Sequence, residues 1–141
     1  IAAMAVHRIS LSVPTRGAGL LELTARVAAE VARSGVREGL VSVFCRHTSC
    51  SLVIMENADP TARHDLEAWL DRLVPESDPH FRHTLEGPDD MTSHIRSALT
   101  QTSLTIPVVN GRIALGTWQG LYVFEHRKAQ HWRNVVLHLA S

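Results

Sequence analysis

The sequence predicts an α/β (α+β) fold: a mixed, mostly antiparallel sheet covered by two to three helices. Three observations predict it. Apolar and polar residues alternate over residues 6–13, and short β-branched runs recur through the last third of the chain. Segments with helical spacing lie between them. The pair Asn110-Gly111 is a strong short-range signal for a hairpin, and so for antiparallel pairing. No internal repeat, low-complexity run or Pro/Gly-rich linker divides the 141 residues. A single domain over 1–141 is therefore expected.

The elements follow in order. In 6–13, His7, Ile9, Leu11 and Val13 share one face of a strand, with Arg8, Ser10 and Ser12 on the other. Residues 14–19, from Pro14 to Gly19, read as a turn. Leu20, Leu23, Val27 and Val31 then fall at helical spacing, and four alanines support a helix over 20–33 with Gly35 as its C-cap. Residues 40–45 form a buried strand that stops at Arg46-His47-Thr48-Ser49, and 51–55 form another. Asp59 as N-cap and Pro60 at the first helical position open a helix. Its apolar stripe is Leu66, Trp69, Leu70 and Leu73, and Pro75 ends it. Residues 75–88 read as a loop. Asp89 and Asp90 begin a helix to about 101, where they complement the N-terminal dipole, and Ile95 and Leu99 point to the core. Strands over 103–109, 112–117, 121–125 and 134–139 complete the order β-α-β-β-α-α-β-β-β-β.

Composition bounds the function. Formal net charge is zero with 14 Lys+Arg and 14 Asp+Glu, which argues against non-specific binding to nucleic acid or anionic lipid. Nine histidines stand out, a residue suited to metal ligation and proton transfer. Cys45 and Cys50 lack the spacing of a zinc knuckle and read as reduced thiols of a cytoplasmic protein, Cys45 as a small core residue. No stretch approaches the ~20 apolar residues of a membrane span. Residues 1–5 lack the basic flank of a signal peptide, and Met4 reads as a natural start.

Four segments could carry chemistry. His47-Thr48-Ser49-Cys50-Ser51 follows a buried strand, where small hydroxyls and backbone N–H groups could hold an anion or orient an imidazole; the plainer reading is a Ser/Thr turn. Glu56-Asn57, with Asp65 on the next helix, could supply acid/base groups or merely cap and turn the chain. His83 and His94 lie in and beyond a loop, at no recognised metal-motif spacing. With His47 they would offer three imidazoles from separate segments, a sensible zinc set if they converge. Thr117-Trp118-Gln119 lies between Gly116 and Gly120, and could wall a pocket or close a hairpin. No phosphate-cradling glycine loop or nucleophile elbow is present.

Taken together, His47-Thr48-Ser49, Glu56-Asn57-Ala58-Asp59-Pro60, Asp65-Leu66, His83-Thr84, Glu86-Gly87-Pro88-Asp89-Asp90-Met91, His94-Ile95, Ile106-Pro107-Val108, Asn110-Gly111 and Leu115-Gly116-Thr117-Trp118-Gln119 resemble, in this order, the YjbQ-like family. The resemblance runs from about Val6 to Leu139. It departs at Cys50, where Ala is usual, at Thr92, where Pro is usual, and at His131-Trp132-Arg133. The family is also known as secondary thiamine-phosphate synthase. The resemblance implies a homotrimer with a histidine-lined pocket and a divalent metal, zinc above all. It implies His47, His83 and His94 as ligands, Asp65 and Glu56 as acid/base groups, and Ser49, Asn57, Thr117, Trp118 and Gln119 as substrate-binding walls.

The function so implied is an enzyme of small, phosphorylated molecules, coupling a pyrimidine diphosphate to a thiazole phosphate. Arg46 and Arg82 could neutralise the leaving pyrophosphate. Three histidines suit zinc better than magnesium, so a metal-assisted hydrolysis or transfer fits the ligands equally well. The alternative is a non-catalytic metal- or ligand-binding trimer.

Overall fold

A computed structural model describes residues 6–141. The expected start at Met4 lies outside them. The chain runs β1 (Val6–Thr15), β2 (Gly19–Glu22), α1 (Thr24–Ser34), β3 (Gly39–Cys45), β4 (Cys50–Glu56), α2 (Pro60–Leu73), α3 (Asp90–Leu99), β5 (Ser103–Val109), β6 (Arg112–Ile113), β7 (Gln119–Glu125) and β8 (His131–Ala140). Among the described residues the strands form two sheets, a five-stranded one ordered β1-β8-β3-β5-β6 and a three-stranded one ordered β2-β7-β4. Every strand pairing in them is antiparallel. The α+β class expected from the sequence is observed, with its sheet split in two.

Several elements differ from expectation for local reasons. Residues 20–22 are strand rather than helix: Leu20 pairs with Phe124 and Leu21 with Val123 across β2 and β7. The Leu20 N–H donates to Glu67 Oε1 at 2.9 Å, and Leu20 packs against the cluster of Leu70, Val74 and Phe124. Helix α1 starts only at Thr24, whose hydroxyl accepts the Leu121 N–H and donates to Glu22. Its end is as expected, with Gly35 in the left-handed region at φ 76°. Strand β1 continues through Pro14 because β1 is an edge strand, the setting in which a strand tolerates proline.

Asn110 and Gly111 have φ of 52° and 78°, the double positive φ of a type I′ hairpin turn. The strand after it stops at Ile113 instead of running to 117. Gly116 to Gln119 close a turn instead: the Gln119 N–H donates to the Gly116 carbonyl, and Gly116 N–H donates to Gln119 Oε1.

Both later helices bury less apolar surface than their stripes suggest. In α2, Leu70 is buried, but Trp69 and Leu73 are each 52% exposed. Asp59 caps this helix as expected, accepting the Thr61 N–H at 2.9 Å, with Pro60 following. In α3, Leu99 is exposed and the buried residues are Asp90, Thr92, Ser93, Arg96 and Ser97. No described helix is long and apolar enough to cross a membrane.

The main core lies between the two sheets. It joins Val41, Val43 and Cys45 of β3, Val135, Leu137 and Leu139 of β8 and Leu104, Ile106 and Val108 of β5 to Cys50 and Leu52 of β4, Leu121 and Val123 of β7 and Val27 and Val31 of α1. A second cluster on the opposite side of the small sheet gathers Leu70, Val74 and Phe124, with Leu66 and Ile95 packed on it. Strand β7 is thus covered on both faces, and Gly120 to Glu125 are all buried. This explains its unbroken apolar run, since a strand buried on both faces has no polar side to alternate.

One ion pair ties the sheets together. Arg133 of β8 donates through Nε to Glu125 Oε1 of β7 at 2.7 Å and through Nη2 to Oε2. Both side chains are almost fully buried. Thr15 of β1 donates to the same carboxylate at 2.6 Å, and the His126 and Arg127 N–H groups donate to Oε2. Burial alone would raise the Glu125 pKa, but the hydrogen bonds from Arg133 and Thr15 outweigh it and hold the carboxyl below its usual range.

Glu125→Ala strands the Arg133 charge in the core, and the expected cost is about 3–5 kcal/mol in urea unfolding. The lowered pKa also sets a pH dependence. The contribution of Glu125 is complete above the unfolded-state carboxylate pKa of about 4.3, and it is lost as pH falls through the lower folded value. Wild type and Glu125→Ala should therefore converge in stability on acidification. An unchanged difference between pH 7 and pH 2 would contradict this account.

Candidate metal centre

Strand β3 ends at Cys45 and β4 begins at Cys50, so residues 46–49 bridge the two sheets. This bridge is pinned through its carbonyls. Ser49 O accepts the His126 N–H and Arg133 Nη2, both at 3.3 Å. Thr48 O accepts His94 Nδ1 at 2.9 Å. Because a carbonyl only accepts, a proton of His94 sits on Nδ1.

The other ring nitrogen faces a carboxylate. His94 Nε2 is 3.0 Å from Asp90 Oδ2, one helical turn earlier on α3. His83 Nε2, from the loop before α3, is 2.8 Å from the same oxygen. The two imidazoles lie with ring centroids 5.4 Å apart, tilted by 52°. The ligand atoms of His83, Asp90 and His94 all fall within 4.8 Å of one another. The other carboxylate oxygen, Oδ1, accepts Arg127 Nη1. Asp90 is almost fully buried; burial opposes its charge, but His83, His94 and Arg127 together hold its pKa below the usual range. Asp89 braces Arg127 from the side, accepting its Nε and the Lys128 N–H.

The sequence-predicted residues separate into groups. His83 and His94 come together. His47 does not join their ligand atoms. Its Nε2 accepts the Asn134 N–H at 2.7 Å, and burial followed by the nearby Arg133 charge lowers its pKa. It does line, with Thr48, His94, Ser97, Ala98 and Thr102, a cleft of about 450 Å³. The Ser97 hydroxyl in that lining is the one buried side-chain polar atom among the described residues without a hydrogen-bond partner. A second cleft, of about 500 Å³, includes His83 with Phe81, Thr84 and Met91 in its wall. Ser49 sits in the bridge, held by its carbonyl.

Glu56, Asn57 and Gln119 lie at the other end of the small sheet, where Glu56 pairs with Gln119. Six strand steps separate that end from Cys50, about 20 Å. There Glu56 accepts the Ala58 and Asp59 N–H groups, Asn57 donates to the Gln119 carbonyl, and the Trp118 carbonyl accepts the Asn57 N–H. Thr117 and Trp118 are exposed in the turn. Asp65 points outward from α2 beside His64.

Asp90 is the residue that sequence reading missed, because an acidic residue at a helix start is explained by the dipole alone. The available signal was its spacing: His94 four residues on shares its helix face.

Arg133, Glu125 and His126 make a second polar group behind the bridge. Burial and the Arg96 charge push the His126 pKa down to about 3, so the ring is neutral. Its Nε2 lies 2.9 Å from Ser51 Oγ. Cys45 and Cys50 are both free and buried, and their sulfurs lie 3.2 Å apart.

Comparison with known proteins agrees with this fold. A UPF0047 protein of Synechocystis sp. is 50% identical over 135 residues, covering 96% of this chain and 92% of its own. The UPF0047 protein YjbQ of Escherichia coli O157:H7 is 50% identical over 92 residues, covering 65% of this chain and 66% of its own. Among solved structures, a conserved hypothetical protein of Thermus thermophilus aligns with a TM-score of 0.83 at 36% identity, covering 93% of this chain and 98% of its own. A YbjQ-like protein of Sulfolobus solfataricus, described as of unknown function, has a TM-score of 0.90 at 21% identity over 99% of both chains and supports the fold.

These names correct the activity implied by the resemblance. None of these proteins is called a thiamine-phosphate synthase, and the names they bear are those of a family without an assigned reaction. The UPF0047 protein YjbQ-like family matches residues 8–141, and the chain belongs to it.

Proposed function

We propose that His83, Asp90 and His94 hold one divalent metal ion, with zinc as the first candidate, and that the adjoining cleft brings a small molecule to it. The observation that supports this reading is the convergence of three donor atoms, from His83, Asp90 and His94, within 4.8 Å of one another. His94 Nδ1 donates to the Thr48 carbonyl, which aims Nε2 at Asp90 Oδ2, 3.0 Å away and shared with His83. Two imidazoles and a carboxylate are a common donor set for catalytic zinc. Ligands about 2.0–2.1 Å from a tetrahedral ion stand roughly 3.3 Å apart. The spacings of 2.8 and 3.0 Å are a few tenths of an ångström shorter, so the ligands would part slightly to admit the ion. The Thr48 carbonyl and Arg127 act as the outer partners that fix a ligating imidazole and carboxylate. The cleft lined by His47, Thr48, His94 and Ser97 reaches His94 and would hold a ligand beside it. A bound ion there would polarise an oxygen of that ligand.

Metal analysis after zinc or cobalt reconstitution and desalting tests this. Wild type is expected to retain one ion per chain, and His47→Ala to retain it too. Asp90→Asn and His83→Ala should lose about tenfold or more in affinity. If wild type retains no ion, the cluster is instead a protonated imidazole pairing with Asp90, and the reading fails. It also fails if both variants bind like wild type.

We also propose that the chain assembles through the outer face of the five-stranded sheet. Leu40, Phe44 and Val109 are partly exposed there, and Trp132 is 72% exposed. Leu40 pairs with Pro107 and Ala140, and Pro14 with Trp132, so apolar residues face outward on four strands, with Ser42, Thr105 and His138 paired between them. Such faces in water favour association. The number three comes from the family resemblance. Light scattering is expected to give the mass of three chains, and Phe44→Glu with Trp132→Glu to give single chains. A monomeric wild type at micromolar concentration would exclude this assembly.

A further inference from the structure

The two thiols stand where the sheets meet. Cys45 ends β3 and Cys50 begins β4, and both side chains lie in the main core. Their sulfurs are 3.2 Å apart, with Cys45 Sγ also 3.5 Å from the Cys50 carbonyl. A disulfide needs about 2.0 Å, so closure is a movement of roughly 1.2 Å by two side chains already in contact. The thiols are not equivalent. The Cys50 thiol and the His47 backbone N–H hydrogen-bond to Cys45, and the Arg133 charge lies nearby. Burial and the Glu125 charge oppose ionisation of Cys45, but these interactions outweigh them and lower its pKa, whereas the contact with Cys45 and burial raise that of Cys50.

We propose that Cys45 and Cys50 form a reversible disulfide when the chain meets a small peroxide, clasping the bridge between the sheets. The Cys45 thiolate attacks one oxygen of hydrogen peroxide, breaking the O–O bond. Cys45 becomes a sulfenic acid, and the leaving hydroxide takes up a proton to form water. The Cys50 sulfur then attacks the Cys45 sulfur; the S–O bond breaks, and the oxygen leaves as a second water with the Cys50 proton. Two thiols are oxidised by two electrons, and one peroxide is reduced to two waters. Burial sets the oxidant class. Both residues are at most 1% exposed, which admits a peroxide during local opening but disfavours a bulky disulfide such as oxidised glutathione.

The clasp spans residues 46–49, whose Thr48 carbonyl orients His94. Tightening it shifts that carbonyl, so oxidation is expected to weaken metal binding about tenfold, the effect of a disturbed outer partner. This coupling rests on the metal reading; the disulfide itself does not.

The test uses the purified chain in chelator, treated with a slight excess of hydrogen peroxide. The intact mass is expected to fall by about 2 Da, both thiols to resist alkylation in denaturant, and dithiothreitol to restore them. Peptide mapping should join Cys45 to Cys50, and oxidised glutathione should act at least tenfold more slowly. Cys50→Ala, a small substitution, should lose the 2 Da decrease and add one oxygen at Cys45 instead. The proposal is overturned if wild type keeps two alkylatable thiols, or gains oxygen without the cross-link. Cobalt titration of oxidised and reduced chains then reads the coupling. Equal affinities overturn the coupling and leave the disulfide standing, whereas no cobalt uptake by reduced protein removes the metal reading and leaves the mass result unaffected.

Discussion

The buried pair of Glu125 and Arg133 is the constraint on which the rest of the molecule depends. It joins β7 of the small sheet to β8 of the large one. A charge pair in such a place is not a large net source of stability, because desolvation offsets most of the attraction. Its role here is positional. The same carboxylate takes the His126 and Arg127 N–H groups, which turns the chain out of β7 and sends the Arg127 side chain to Asp90. The same guanidinium holds the Ser49 carbonyl, next to the Thr48 carbonyl that fixes His94. One ion pair thus orients both outer supports of the histidine cluster, from two different strands.

The cluster is built around the difficulty of burying Asp90. A buried carboxylate must be paired or become neutral. Arg127 satisfies one oxygen, and the other is left to two histidines. Helix α3 tolerates this because it adds little to the main core. Its buried face is Asp90, Thr92, Ser93, Arg96 and Ser97, each except Ser97 tied down locally: Ser93 to the Asp89 and His126 carbonyls, Thr92 to Pro75, Arg96 to Val74 and Asp71.

Much of the architecture was legible in local pattern. Alternation marked β1, the Asn110-Gly111 turn marked the β5–β6 hairpin, and Asp59-Pro60 marked the start of α2. The errors fall where tertiary contact overrides local preference. Leu20 sits at helical spacing to Leu23, yet it is drawn into strand pairing with Phe124. Trp69 and Leu99 look like core residues, yet no layer covers them. The candidate site was half legible. Histidine chemistry singled out His83 and His94, but no spacing rule reports that the His83 loop folds back over the first turn of α3. Glu56, Asn57 and Gln119 adjoin them only in motif order. In space they close the opposite end of the β4–β7 pair, where Glu56 and Asn57 have turn and capping bonds to make.

The separation of these two ends follows from how the core is distributed. The inter-sheet cluster fills the middle of β4 and β7 with Leu52, Leu121 and Val123, leaving only the strand ends for polar chemistry. At the Glu56 end the chain enters a helix at once, and the polar groups there serve the α2 N-terminus. At the Cys50 end four residues must cross from one sheet to the other, and their carbonyls have no strand partner. A backbone oxygen in that position needs a donor. His94 and Arg133 supply two. The bridge therefore orients the His94 ring as a consequence of its own hydrogen-bonding need, so the contact that sets His94 against Asp90 is the same one that lets the chain pass between the sheets.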